Sequence, residues 1–389
     1  MKSLSHLAAV AAFSLLGLSA SAQTLTYLGQ QIVPTGTPFQ DLPVGGLSSL
    51  DYNPATGHYL AISDDRSDIA PARFYELALD LAKFRRSTAP GHDGVKFISS
   101  TTIQDLDGNP FGRNKVDPEG LRLDARRELI YWCNEGQRKN DGLQKPTVRR
   151  MHPDGRPAGE FPVPSYYAPS GSAGGLAAGD MGVYNNLAFE SIALTPDGRT
   201  LWTITENALA QDDLPTAVGR TSHSRLLSFD LASGKAGAEY VYEVGPVAFA
   251  PTKAGDFATN GVADMLALSD HEFIAIERSY AVGAATPGLA PHTGKPTSNT
   301  IRLYIIDTTG ATDVAGWPSI KGHEWVPAKR RLLLDLSTLK NDDGSPLAVD
   351  NIEGLTFGPM VNGKRTLVLV SDNNFNPEQF TQFVALQVD

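Results

Sequence analysis

Around residues 116–135 the chain alternates apolar and polar positions, Leu121 and Leu123 against Arg122 and Asp124, then turns through residues 125–128 and runs apolar from 129 to 133. A period of two predicts a half-buried strand and a short apolar run a buried one, so this stretch predicts a β-hairpin with a carboxylate at each end, Glu119 and Glu135. The pattern returns along the chain. Ser48, followed by Leu50, Tyr52 and the run 59–62, stands 71 residues before Glu119, and Glu190, followed by Ile192, Leu194 and the run 201–204, stands 71 residues after it. Further copies open at Asp264 (Leu266, Leu268, run 273–276) and at Glu353 (Leu355, Phe357, run 367–370), after steps of 74 and 89 residues.

Each unit continues into a third predicted strand, at residues 73–79, 148–151, 225–231, 302–306 and 381–388. A long period built from strands is the mark of a radial repeat, and three to four strands per unit repeated five times predicts an all-β, single β-propeller. A blade of ordinary size takes about 40–45 residues, so these units carry long loops, where binding and catalytic groups concentrate. The strand-like segment 25–33 supplies the outer strand that the last unit lacks, so the N- and C-terminal strands are expected to close the ring in one blade. Five blades is the count; the stretch 289–348 is long enough for a sixth, degenerate one.

Composition then narrows the class. Residues 1–22 combine Lys2, an apolar run at 7–18 and Ala20-Ser21-Ala22, the pattern of a secretory signal cleaved after Ala22, which leaves residues 23–389 as one propeller domain in a secreted or periplasmic protein. The apolar run is too short for a permanent membrane span. A net charge of −10 argues against nucleic acid as a partner. The single cysteine, Cys133, rules out an intramolecular disulfide framework and reads as an apolar filler in a strand. No Gly-x-Ser-x-Gly, His-Glu-x-x-His or P-loop motif occurs. The glycine-rich run 170–175 reads as a flexible loop.

The candidate chemistry lies in the repeated oxygens. Ser48, Glu119, Glu190, Asp264 and Glu353 share one position in successive units, and on the innermost strands of a ring they would face one axis. Carboxylates gathered there repel one another, a cost that a divalent cation removes. An all-oxygen donor set without a His or Cys cluster selects a hard ion, calcium above magnesium. The alternative is that each acid caps or pairs within its own blade.

A second polar series ends the next strands: Asp64 and Asp65, Asn134 and Glu135, Thr205 and Glu206, Glu277, Asp372 and Asn373. Arg73, Arg149, Arg225 and Arg302 open the strands that follow, so each acid is expected to meet its own arginine. Those arginines, with Arg66 and Arg278 directly after the acids, could instead form a rim for an anionic substrate, densest at Asp64-Asp65-Arg66.

Gly45 to Tyr52, Ile62 to Ser67, the Asp117-Pro118-Glu119-Gly120-Leu121 and Asn351-Ile352-Glu353-Gly354-Leu355 copies and Ser371 to Phe375 resemble the phytase-like family, described as esterase-like activity of phytase. The resemblance implies an exported propeller assigned to phosphoester or ester hydrolysis. A more distant likeness, to calcium-dependent apyrases, implies one oxygen ligand per blade around an axial calcium, with Asp264 where that pattern has a neutral serine. The expectation is therefore a monomeric, calcium-assisted phosphoester hydrolase of a small anionic substrate. Its metal set is Ser48, Glu119, Glu190, Asp264 and Glu353; its catalytic residues are Asp64, Asp65 and Arg66; its substrate residues are Arg73, Arg225, Arg278 and Arg302. The competing classes are a non-enzymatic calcium-stabilised binding propeller and a carboxylic esterase or lactonase.

Overall fold

Strands that are apolar on both faces need cover on both sides, and stacking them as blades around an axis supplies it. The computed structural model describes residues 24–389, so the leader segment expected at 1–22 lies outside the described residues. Five four-stranded antiparallel sheets form the ring. From the axis outward, blade 1 holds Leu47–Asn53, His58–Ser63, Arg73–Leu79 and Val95–Thr102, and blade 2 holds Pro118–Asp124, Leu129–Asn134, Thr147–Met151 and Pro157–Phe161. Blade 3 holds Phe189–Leu194, Thr200–Ala208, Ser222–Asp230 and Lys235–Val244, and blade 4 holds Ala258–Ala267, Glu272–Ala281, Asn299–Asp307 and Lys329–Asp335. Blade 5 combines Ile352–Val361, Lys364–Ser371 and Phe380–Val388 with the N-terminal Leu25–Pro34, paired from Leu25↔Val388 to Pro34↔Phe380. The ring thus closes through its two ends, and the stretch 289–348 holds the outer strands of blade 4 rather than a sixth blade.

Apolar layers fill the blade interfaces. Ile62 and Phe74 meet Leu121 and Ile130 between blades 1 and 2, Tyr131 and Val148 meet Phe189 and Ile192 between blades 2 and 3, and Trp202 and Tyr242 meet Met265 and Phe273 between blades 3 and 4. Ile274 and Leu303 meet Leu355 and Leu369 between blades 4 and 5, and Leu47 and Tyr59 meet Val368 and Phe383 where the ring closes. Cys133 is buried in the second of these layers, where its Sγ accepts from the Gly120 N–H at 3.1 Å.

The antiparallel order puts the start of each inner strand and the end of each second strand at one face. The turns from first to second strand, at the opposite face, span two to five residues, whereas the connections from second to third strand span eight to seventeen. Long loops therefore gather on the acid-bearing face. The glycine-rich loop among them is held rather than loose: the buried Arg138 guanidinium donates to the carbonyls of Ser170, Ser172, Met181 and Val183.

Candidate functional site

Every inner strand begins with a β-bulge, one extra residue that re-aims its side chain. Register slips by one between Leu47 and Ser49, Pro118 and Leu121, Phe189 and Ser191, Val262 and Asp264, and Ile352 and Gly354. The residues so placed are Ser48, Glu119, Glu190, Ala263 and Glu353. The expected fourth member, Asp264, stands one position later, level with Ser49, Gly120, Ser191 and Gly354. It points away from the acid ring to a buried ion pair in which Arg122 Nη2 donates to both of its oxygens at 3.0 Å. The same guanidinium reaches Ser49 and Leu50 of blade 1 and Met265 and Leu355 of blades 4 and 5, so this pair plugs the axis below the acids.

A second ring lies one residue past the matched ends of the second strands: Asp64, Glu135, Glu206, Arg278 and Asp372. Blade 4 thus contributes a cation where the other blades contribute acids. Arg278 donates to Glu206 Oε1 at 3.1 Å and to Asn351 Oδ1 at 2.9 Å, and pairs with Glu353 at 3.1 Å. Two residues before the bulge, Asp117 and Asn351 form a third tier. Arg66 pairs with Asp117 Oδ2 at 2.6 Å and donates to Asn186. Glu206 fits because Gly261 stands beside it; any Cβ at 261 would overlap the Glu206 side chain.

Eight carboxylates therefore converge, Asp64, Asp117, Glu119, Glu135, Glu190, Glu206, Glu353 and Asp372, with Arg66 and Arg278 as the facing guanidiniums. Burial first, and then the neighbouring acids, hold Asp64, Glu119, Glu135, Glu190 and Asp372 well above the ordinary carboxylate range. Burial pushes Glu206 up to about 7 against the pull of Arg278. Burial works against the charge of Arg278, yet Glu353 and Glu206 outweigh it and hold the guanidinium protonated.

The donor set fits a hard divalent cation. Oxygens of Asp117, Glu119 and Glu135, and of Glu135, Glu190 and Glu206, lie within 4.8 Å of one another, and no His or Cys belongs to either group. Two of these buried acids keep oxygens without a hydrogen bond: both oxygens of Asp117, whose Oδ2 has only its ion pair with Arg66, and Oε2 of Glu206. Unpartnered buried carboxylate oxygens are costly and call for a cation or solvent.

The other expected site residues fall elsewhere. Ser48 is buried between blades 1 and 2, its hydroxyl toward the Pro118 and Glu119 carbonyls at 3.4 and 3.3 Å. Asp65 is saturated: it accepts from the backbone N–H groups of Asp68, Ile69 and Ala70 and from Arg73 at 2.7 Å, which folds the 65–72 loop and leaves it nothing for a reacting group. Arg225 is fully buried between Asp212 and Glu239, Arg302 pairs with Asp335 in the outer half of blade 4, and Arg149 pairs with Glu160. Only blade 1 joins the acid after its second strand to the arginine opening its third. Glu277 instead takes Tyr242 and Arg330 between blades 3 and 4.

Reasoning from the sequence missed Asp117, Glu135, Glu206, Asp372 and Asn351 as site residues. Their signal was present: Asp117 and Asn351 stand two residues before a Glu-Gly pair, and the other three belong to the second polar series, which was read as ion pairs or an anion rim rather than as part of the acid ring. Above them opens a cavity of about 1080 Å³, lined among others by Asn186, Glu206, Arg278, Lys295, Asn351 and Asn374.

Fold and site define a five-bladed propeller with a carboxylate-lined axial channel capped by an arginine and opening into a cavity of mixed polar and apolar lining. The chain belongs to the phytase-like family, described as esterase-like activity of phytase, whose profile matches residues 42–375. Family and fold fit a phosphoesterase-like hydrolase. No curated protein matches the chain. Among solved structures it is similar to one titled "Structure of Dos1 propeller", at 7% identity and a TM-score of 0.33, covering 87% of this chain and 68% of that one. Among the described residues no helix is long and apolar enough to cross a membrane.

Proposed function

We propose that this protein is an exported, divalent-cation-dependent hydrolase of small phosphoesters, with calcium as the ion that its donor set favours. The observation that carries the reading is the set of buried oxygens without a hydrogen bond, on Asp117 and Glu206, inside a channel of eight carboxylates faced by two guanidiniums. Glu119, Glu135, Glu190 and Glu206, with Asp117, would hold the ion. A bound calcium neutralises phosphoryl charge and makes a coordinated water more acidic.

The chain's own groups supply the rest. Arg278, fixed by Glu206, Glu353 and Asn351, presents a guanidinium at the cavity floor, where a phosphoryl oxygen can take its donors. Asn186 and Asn374 line the cavity above it and offer neutral donors to the substrate body. Asp64 is half-buried, and burial with Asp372 and Glu353 nearby raises its proton affinity, which suits it to accept the water's proton. Asp65 and Arg73 shape the loop that carries it. The walls exclude bulk water from one side of the reacting group, which strengthens each of these interactions.

The test is a substrate panel of phosphomonoesters, phytate, nucleotides and carboxylic esters, run on chelated and calcium-loaded protein. Calcium-dependent phosphate release that falls on the order of 10²-fold in Glu190→Gln and Arg278→Ala is the expected result. Turnover of carboxylic esters alone, or phosphate release indifferent to both substitutions, overturns the reading.

A further inference from the structure

The eight acids are not spread evenly round the axis, and the two guanidiniums do not serve them equally. Arg278 and Asn351 hold Glu353, and Asn351 also donates to Asp372, so the blade 5 side carries its own compensation. On the blade 2 and blade 3 side Arg66 reaches Asp117 and Arg278 reaches Glu206, while Glu119 and Glu190 have no paired guanidinium among the described residues. There the carboxylates fall into two groups that share one member: Asp117, Glu119 and Glu135 within blade 2, and Glu135, Glu190 and Glu206 across the interface of blades 2 and 3.

We propose that the channel binds two divalent cations side by side, one in each group, with Glu135 bridging them. The inference rests on the reading that the channel is a cation site, and extends it from one ion to a pair. Each group carries its own independent pointer to a ligand. Asp117, 3% exposed, makes no hydrogen bond through either oxygen and has only the ion pair of Oδ2 with Arg66; Glu206, with no exposure, spends Oε1 on Arg278 and leaves Oε2 without a partner. A single ion in either group would leave the other buried oxygen bare.

Size agrees. Calcium–oxygen distances of about 2.3–2.6 Å put ligands on opposite sides of an ion roughly 4.6–5.2 Å apart, and the donor atoms of each group lie within 4.8 Å of one another. Glu135 suits the bridge because it stands between the groups with Oε1 already oriented by the Ala188 N–H at 2.9 Å. The cavity floor meets the second group at Glu206, so that ion would be the one nearer substrate, and the blade 2 ion would sit outside the cavity lining.

The test is calcium stoichiometry of the full chain after exhaustive chelation, by equilibrium dialysis and by titration calorimetry, with circular dichroism as the control for folding. The expected result is two equivalents for the natural sequence, one each for Asp117→Asn and Glu206→Gln, and at least a tenfold weaker second equivalent for Glu135→Gln. One equivalent in the natural sequence, or two retained in Asp117→Asn, overturns the pair while the single-ion reading stands. No bound calcium overturns both. Should Glu135→Gln fail to fold, the natural sequence and the two outer variants decide the question.

Discussion

At the scale of single residues, the site is set by which buried groups are compensated and which are not. Asp264 and Arg122 are a matched buried pair, and removing one partner of such a pair strands the other charge. Asp264→Ala should therefore cost about 3–5 kcal/mol, while the double change of Asp264 to Leu and Arg122 to Met recovers most of it, as denaturant titration would show. Gly261 works by what it lacks. Gly261→Ala should displace Glu206 and weaken calcium binding more than tenfold by calorimetry, with the fold retained by circular dichroism. Asp65→Asn should act through the loop it folds, since its oxygens are taken by three backbone N–H groups and Arg73. Stability should fall more than the pH profile of turnover moves.

At the scale of elements, the repeated unit is a hairpin whose first strand opens on a bulge. The bulge turns one side chain per blade toward the axis, and in blades 2 and 5 the glycine after it lets neighbouring inner strands approach: a Cβ on Gly120 would come within 2.5 Å of the Ile192 nitrogen in blade 3. Gly120→Val should thus pry blades 2 and 3 apart and lower the melting temperature well beyond what an exposed strand glycine would show. The closing strand is the other element that matters. Leu25–Pro34 covers Phe380–Val388 along nearly its whole length, and Tyr27 and Val33 are buried against blades 5 and 1. A chain starting at residue 35 would expose a long strand edge, and light scattering should show it assembling or aggregating more than the natural chain does.

At the scale of the whole molecule, the ring concentrates charge that the linear chain keeps dispersed, and this links stability to pH and to calcium. Glu206, raised to about 7, and the other channel acids, raised by burial and by one another, bind protons more tightly folded than unfolded. Between the ordinary carboxylate range and about pH 7 the folded state then holds more protons, so stability present at low pH is lost as pH rises. Chelated protein should melt at a lower temperature at pH 8 than at pH 5, and calcium should remove most of that difference by raising the value at pH 8. A melting temperature indifferent to both pH and chelator would contradict the crowding of these acids.

Much of this was legible before any coordinates. Alternating strands at a period of 71, glycine-rich turns and complementary terminal strands point to a closed ring, because each hairpin buries its apolar faces only against a neighbour; the sheet pairing decided for five blades over six. Glu119, Glu190 and Glu353 could be placed at one level from spacing alone. The error at Asp264 shows where this stops: residues 262–268 run Val-Ala-Asp-Met-Leu-Ala-Leu, apolar on both faces, so a shift of one residue leaves the pattern intact and only backbone pairing decides the register. The partners of Arg225 and Arg302 were equally hidden: Asp212 comes from a loop and Glu239 and Asp335 from outer strands, and which of them meet depends on tertiary packing. Local propensity and periodicity act along the chain and settled the architecture; which carboxylates meet, and which keep an oxygen bare, is a property of groups separated by tens to hundreds of residues, and only the closed ring brings them within reach.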